Sequence, residues 1–411
     1  MKTLLRLVLV SLVLSPAIFA AETITAEPAA VGMSKDRLVR IRNFIDRLQA
    51  ENKIPGAVTV VARRGQVVRL EAQGFADLES KRPLRTDDIF AIASMTKPVV
   101  TVGALMLVEE GRLRLSDPLE KFLPSFRDRK VAVTKAGATG GYELVPAERS
   151  ITIHDLLTFR CGFPGYPTDN DRPAAKLWRD ARLPSDAVLA DYVEQLTALP
   201  LNAQPGAEWR YSAAMIVLGR VIEVVSGKTL DVFLRERIFE PLGMKDTAFG
   251  VPPEKLARLV PIYTRHDGKL ERGSTPRTSP KFFSGSGGLF STAPDYLRFC
   301  LMLSNGGQLD GHRLLGRKTI ELMTAQHVAE IPLPFLHGQG FGLGVAVLNP
   351  GGVAGMLGSA GAYGWSGAYN TYFRIDPHEQ LVLAIFQAFS PANDLESTYG
   401  FQNLVMQALV E

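Results

Sequence analysis

Apolar residues recur along this chain with two different periods, and the change of period marks its elements. Leu38, Ile41, Phe44, Ile45 and Leu48 fall on one face at helical spacing, which predicts a helix over residues 36–49. The next apolar run, Ala57-Val58-Thr59-Val60-Val61-Ala62, is rich in β-branched residues and predicts a strand. Arg63-Arg64-Gly65 turns the chain, and residues 66–72 continue as a second strand. After Ser94 the period returns to that of a helix, through Val99, Val102, Leu105, Met106 and Val108. Pro98 falls in its first turn, where a missing N–H is tolerated, and Gly111 closes it as a C′ residue.

Residues 112–284 read differently. They hold short helical patterns with Pro- and Gly-rich joints, such as Phe163-Pro164-Gly165-Tyr166-Pro167. The clearest helix there is expected to take Ser212 as its N-cap, to carry Ile216, Val217, Val221, Ile222 and Val225, and to end at Gly227. Beyond residue 285 strand signals resume. Residues 369–375 and 381–386 predict a hairpin around Asp376-Pro377-His378-Glu379, and residues 395–410 form a last amphipathic helix. The strands at the two ends are expected to share one antiparallel sheet, since short hairpins cannot make parallel neighbours. The predicted fold class is therefore α/β in the broad sense (α+β): an antiparallel sheet flanked by helices, with a mostly helical inserted subdomain. The expected boundaries are a sheet unit of about residues 21–110 plus 285–411 and a helical unit of about 111–284.

Composition narrows the class without naming a function. The chain has 411 residues, 46% of them hydrophobic and 21% charged, which excludes a disordered or coiled-coil protein. The net charge is 46 − 42 = +4, too small and too evenly spread for a nucleic-acid binder. Two cysteines exclude a disulfide scaffold and a Cys-rich zinc module; Cys161 and Cys300 read as buried free thiols. Trp178 and Trp209 read as packing residues. The first residues change the picture more. Lys2 and Arg6 precede the largely apolar run 7–14, Ser15-Pro16 breaks it, and Ala17 to Ala21 supply small residues. This predicts a secretory signal peptide over residues 1–20, cut near Ala20, and hence a periplasmic or secreted protein. No later apolar run reaches the roughly 18 residues of a membrane span, so none is expected after cleavage.

The candidate chemistry sits at three places. In Ser94-Met95-Thr96-Lys97, residues three apart share a helix face, so the Ser94 hydroxyl and the Lys97 amine lie side by side at a helix N-terminus. The dipole there disfavours a protonated lysine and favours an anionic intermediate. A serine hydroxyl is a poor nucleophile until a base takes its proton, and a partly desolvated lysine helps to do so. Tyr211 lies between the Pro205-Gly206-Ala207-Glu208 turn and a helix. It reads either as a cleft tyrosine able to act as general base or acid, or as a packed tyrosine with a satisfied hydroxyl. Gly364-Trp365-Ser366-Gly367-Ala368 runs into a strand, and an edge strand can offer N–H groups to a substrate carbonyl. Gly285-Ser286-Gly287-Gly288-Leu289 reads as a tight structural turn, because it lacks the Lys-Ser/Thr of a phosphate loop. No Gly-x-Ser-x-Gly elbow is present, and the six histidines (154, 266, 312, 327, 337, 378) show no His-x-x-x-His spacing. No metal and no cofactor is expected.

Together these elements resemble the serine β-lactamase and penicillin-binding-protein superfamily, whose pattern is Ser-x-x-Lys, then Tyr-x-Asn, then Lys-Thr-Gly in that order. Within it the chain looks most like class C β-lactamases and family VIII carboxylesterases. Supporting stretches are Leu218-Gly219, Phe239-Glu240-Pro241-Leu242-Gly243-Met244 and Gly287-Gly288-Leu289-Phe290-Ser291-Thr292. The resemblance covers most of residues 30–410. It implies that Ser94 is the acylated nucleophile, Lys97 its activating neighbour, and Tyr211 the general base that also protonates the leaving group. It implies an oxyanion hole from the backbone N–H groups of Ser94 and Ala368. Trp365-Ser366-Gly367 then holds the Lys-Thr-Gly place. Two departures bear on the substrate. Ala213 stands where the Asn of Tyr-x-Asn would, removing an amide, and Trp365 stands where a lysine would, removing a cation for a substrate carboxylate. Charge-assisted hydrogen bonds are roughly twice as strong as neutral ones, so carboxylate-bearing β-lactams should bind less well. Trp365 instead offers an apolar face for small neutral esters. The expectation is an exported serine hydrolase, a carboxylesterase on short-chain or small neutral esters, with a small-molecule ester or amide as its partner. The alternatives are a class C-like β-lactamase, a D-alanyl peptidase or acyltransferase, and a non-catalytic binding domain.

Overall fold

The structure is a computed structural model that describes residues 26–135, 141–165, 172–183, 186–273, 276–328, 333–334, 336, 338–392 and 394–411. Residues 1–20, read above as a signal peptide, Tyr166 and Pro167 of the Pro/Gly joint, and His337 lie outside the described residues.

Helix α1 (Lys35–Ala50) starts where Ser34 Oγ accepts the Arg37 N–H, and it buries Leu38, Ile41, Ile45 and Leu48. The main sheet has eight strands: β1 (Gly56–Arg63), β2 (Gln66–Asp77), β3 (Arg82–Pro83), β4 (Gln339–Phe341), β5 (Ala346–Leu348), β6 (Tyr363–Ser366), β7 (Tyr372–Asp376) and β8 (Leu381–Phe386). Their order is β4-β5-β6-β7-β8-β1-β2-β3, with antiparallel neighbours throughout. The pairing of Val58 with Phe386 through Arg63 with Leu381 joins the two ends of the chain, as the sequence predicts.

Strand β1 is buried along its whole length because both faces of the sheet are covered. Ala57, Val61, Leu383 and Ile385 pack with α1 and the C-terminal helix α6 (Leu395–Met406). Val58, Val60, Val382 and Phe386 pack on the other side with α2 (Thr96–Glu109) and α5 (Ala293–Ser304). Helix α2 is apolar on every side and buried from Thr96 to Leu107, as expected of a helix with packing all round. It ends at Gly111, whose φ of 70° is left-handed. Helices α3 (Ile153–Leu157) and α4 (Ala214–Ser226) pack on each other and α4 packs on α2; Gly227, with φ 75°, closes α4.

Four features depart from the sequence reading. Helix α4 begins one residue later than Ser212 predicts, with Ala213 as its N-cap and no side-chain cap; Ser212 Oγ instead lies 3.9 Å from Cys161 Sγ. Residues 369–371 belong to a turn, and β7 starts at Tyr372. Helix α6 stops at Met406, because the next backbone groups turn to the N-terminal segment: Ser34 N–H donates to Ala408 O and Val410 N–H to Gly32 O. Residues 111–284 also carry two antiparallel pairs, Lys130–Thr134 with Tyr142–Pro146 and Tyr263–His266 with Lys269–Arg272. The first strand of the second pair also bonds Phe389–Ser390, so this part of the insert packs on the sheet layer. Both cysteines are buried and unpaired. Among the described residues, no helix is long and apolar enough to cross a membrane.

Candidate active site

Ser94 sits in a single 3-10 turn, Ala93–Met95, that feeds directly into α2. Ala93 has φ 45°, a conformation costly for a residue with a Cβ, and such strain persists only where the surroundings hold it. Here four bonds do so. Ile92 N–H donates to Leu289 O at 3.1 Å, Met95 N–H to Ile92 O at 3.1 Å, and Leu289 N–H to Thr96 Oγ1 at 3.1 Å. From α5 the Tyr296 hydroxyl donates to Met95 O at 2.9 Å.

Lys97, one helical turn on, is only 2% exposed. Its Nζ donates to Ser94 Oγ at 3.0 Å and to Ser286 O at 2.6 Å. Burial pushes its pKa below the ordinary lysine range, and Tyr211 opposes this only in part. An amine held in that state beside a serine hydroxyl is able to take a proton from it. The Ser286 carbonyl is a partner that sequence reasoning missed. The glycines around it were the signal: a Cβ at Gly285 would lie 2.3 Å from Met215 O, so only glycine lets this loop rest on the start of α4.

Tyr211 stands just ahead of α4, and the Lys97 Nζ lies 4.4 Å from its ring centroid. The ring is enclosed by Phe159 at 5.1 Å, Trp365 at 5.5 Å and Trp209 at 6.4 Å. Phe341 of β4 closes this group edge-on, 5.4 Å from Trp365 and 5.5 Å from Trp209. Phe159 and Phe341 carry no sequence signal that separates them from other core aromatics. Trp209 is buried in packing, as read, and Trp178 packs on Phe163 at 5.3 Å while its Nε1 donates to Pro200 O.

Trp365 lies on β6, facing the Ser94 side, and its Nε1 donates to the Tyr211 hydroxyl at 3.4 Å. Ser366 follows on the opposite face. At Gly367 a Cβ would fall 2.4 Å from Ile92 O, so the end of β6 rests against the turn that carries Ser94. Ala368 comes next, in an exposed turn, and Ala213 caps α4 two residues after Tyr211. The fold thus brings Ser94, Lys97, Tyr211 and Trp365 into one contact group, with Gly367 behind the nucleophile turn. Among the described residues, no group of three or more side chains is arranged to hold a metal.

Comparison with known proteins gives the family. The family description "Beta-lactamase" matches residues 41–403. Esterase EstB of Burkholderia gladioli is 32% identical over 380 residues, covering 85% of this chain and 90% of that protein. Lovastatin esterase of Penicillium rubens is 32% identical over 287 residues, covering 67% of this chain and 70% of that protein. Among solved structures, EstCE1, a hydrolase with promiscuous acyltransferase activity, shares the fold with a TM-score of 0.77 at 24% identity, over 92% of this chain and 99% of that one. The chain therefore belongs to the beta-lactamase family and is a serine hydrolase with esterases among its relatives.

Proposed function

We propose that the protein is an exported carboxylesterase that works through an acyl-enzyme on Ser94. Lys97 and Tyr211 take the proton of the Ser94 hydroxyl as its oxygen attacks the ester carbonyl. The N–H groups of Ser94 and Ala368 receive the negative oxygen. Tyr211 returns the proton to the departing alcohol, and water, activated by the same pair, then releases the acid. The signal peptide read at residues 1–20 would deliver the enzyme to the periplasm or the medium.

The observation that carries the ester reading is the bond from Trp365 Nε1 to the Tyr211 hydroxyl at 3.4 Å. An indole N–H is a donor without charge. It orients the tyrosine, as a lysine in that place could, but offers no cation to a substrate carboxylate beside the scissile bond. The ring face instead presents apolar surface to a short acyl or alcohol group. Ala213, with no side-chain amide, removes a second polar contact. Short-chain, locally neutral esters fit this lining better than β-lactams or D-alanyl peptides. Initial rates on a chromogenic short-chain ester and a chromogenic cephalosporin, measured on one preparation, test the choice. Faster turnover of the cephalosporin would overturn it.

A further inference from the structure

Ala368 lies in an exposed turn between β6 and β7, yet the N–H it offers to an oxyanion has to be fixed in advance. Donors stabilise a developing charge fully only when their position is set before the charge appears. The backbone of the turn supplies part of that order. Gly367 N–H donates to Thr371 O at 2.7 Å, and Asn370 N–H donates to Gly367 O at 3.0 Å. Among the described residues, no hydrogen bond takes the N–H of Ala368. The turn thus spends the donors of Gly367 and Asn370 on itself and leaves that of Ala368 open.

Two buried polar side chains hold this turn from opposite sides. Thr371 is fully buried, and its hydroxyl donates to Ile92 O at 3.3 Å. Ile92 leads directly into the strained turn of Ala93 and Ser94, so this bond ties the two oxyanion donors together. Ile92 O also accepts the Met95 N–H, so the carbonyl does not depend on the threonine for a partner. Gly367 keeps the approach clear, because a Cβ there would lie 2.2 Å from Thr371 Oγ1. Asn370 is 1% exposed and has φ 63°, a left-handed conformation that asparagine tolerates better than most residues. Its Nδ2 donates to Phe389 O and to Pro391 O, both at 2.9 Å, and its Oδ1 accepts the Asp394 N–H at 2.9 Å. Asp394 is the N-cap of α6, where its Oδ2 accepts the Ser397 N–H at 3.2 Å. One side of the turn is therefore fastened to the nucleophile turn and the other to the start of a helix.

We propose that Thr371 and Asn370 are positioning residues of the oxyanion hole, fixing the Ala368 N–H relative to that of Ser94. The inference rests on the acyl-enzyme reading and names what sets its geometry. Both side chains act through the backbone, so they serve the transition state and leave substrate binding alone.

Kinetics and a stable adduct test this separately. Thr371→Val keeps the shape of the side chain and removes its hydroxyl. It should lower kcat for p-nitrophenyl butyrate roughly tenfold to a hundredfold with KM little changed. Thr371→Ser restores a hydroxyl and should recover most of the loss. Asn370→Gly keeps the left-handed φ, should show the same split between kcat and KM, and serves if Thr371→Val does not fold. Butyl trifluoromethyl ketone probes the same hole without turnover. Ser94 Oγ bonds to the ketone carbon, the carbonyl π pair moves to its oxygen, and the serine proton passes to the Lys97–Tyr211 pair. Its dissociation constant, titrated by fluorine NMR, should rise in each variant by the factor lost in kcat. A folded Thr371→Val or Asn370→Gly with unchanged kcat and unchanged ketone affinity overturns the inference. So does a Thr371→Ser as impaired as Thr371→Val, which would assign the loss to packing. Ester hydrolysis that survives Ser94→Ala sinks the acyl-enzyme reading instead. In a protein that turns over no ester, the ketone affinities of the variants still decide the role of the turn.

Discussion

Lys97 owes its reactivity to where its amine is buried. Desolvation lowers its pKa, Tyr211 opposing this only in part, and Ser94 Oγ lies 3.0 Å away. A lowered lysine pKa means that the basic form gains population as pH rises through that lowered value. The acid limb of kcat/KM should therefore rise with pH below the ordinary lysine range. Lys97→Arg keeps its proton throughout, so it should flatten that limb and cost roughly a thousandfold in kcat/KM. Tyr211→Phe should cost a similar factor, and the double variant should lose little more, because groups acting as a unit are not additive. Additive losses in the pH-rate profiles would separate the two residues. The Ser94–Lys97 pair was legible in the sequence because helical spacing is local. The Ser286 carbonyl was not, because it reaches Lys97 across a separation of 189 residues and offers only backbone.

At the scale of elements, the Ser286 loop and α4 meet through a contact that permits no side chain. In Gly285→Ala the new Cβ would sit 2.3 Å from Met215 O, a backbone atom that cannot swing aside. Forced overpacking of this kind typically costs about 1–3 kcal/mol. The substitution should lower Tm by several degrees and weaken ester hydrolysis as the carbonyl withdraws from Lys97. An unchanged Tm would show that the loop can yield. A second joint is titratable. His154 of α3 and His327, in the segment ahead of β4, share a hydrogen bond, Nε2 to Nδ1 at 3.0 Å. Burial first, and then the neighbouring His327, lower the His154 pKa. The folded state thus prefers the neutral ring. This contribution is complete above the unfolded histidine value of about 6.5 and is lost as pH falls through the lower folded value. Tm measured between neutral and mildly acidic pH should drop more steeply in the natural protein than in His154→Gln, and parallel curves would contradict this. Strand and helix interiors were legible from period alone. The late start of α4 and the early end of α6 were not, because distant segments decide them: Cys161 lies beside Ser212, and the N-terminal segment bonds residues 408 and 410.

Across the whole molecule, the two chain ends build one sheet, and the middle of the chain delivers Tyr211 to the serine that the first third supplies. The order of helix, strands, insert, strands and helix made this legible, since each end supplies an antiparallel hairpin, β1 with β2 and β7 with β8, and β1 then pairs with β8. The contents of the insert were less so, because its short strands pair locally and lack a long periodic run. The same core encloses both thiols. Burial raises the Cys161 pKa to about 12 and that of Cys300 well above the usual value, so neither presents a thiolate. Ellman's reagent should find no reactive thiol in the folded protein and both after denaturation; fast labelling in the native state would place one at the surface. The proposed reaction rests on a covalent bond at one oxygen. Its most direct measurement is acid-quenched mass spectrometry of the protein mixed with a slowly deacylating p-nitrophenyl ester, followed by peptide mapping. The expected result is a single acyl group on the peptide bearing Ser94, absent in Ser94→Ala, which should also lose ester hydrolysis. Turnover that survives Ser94→Ala, or an acyl group found on another residue, would contradict it.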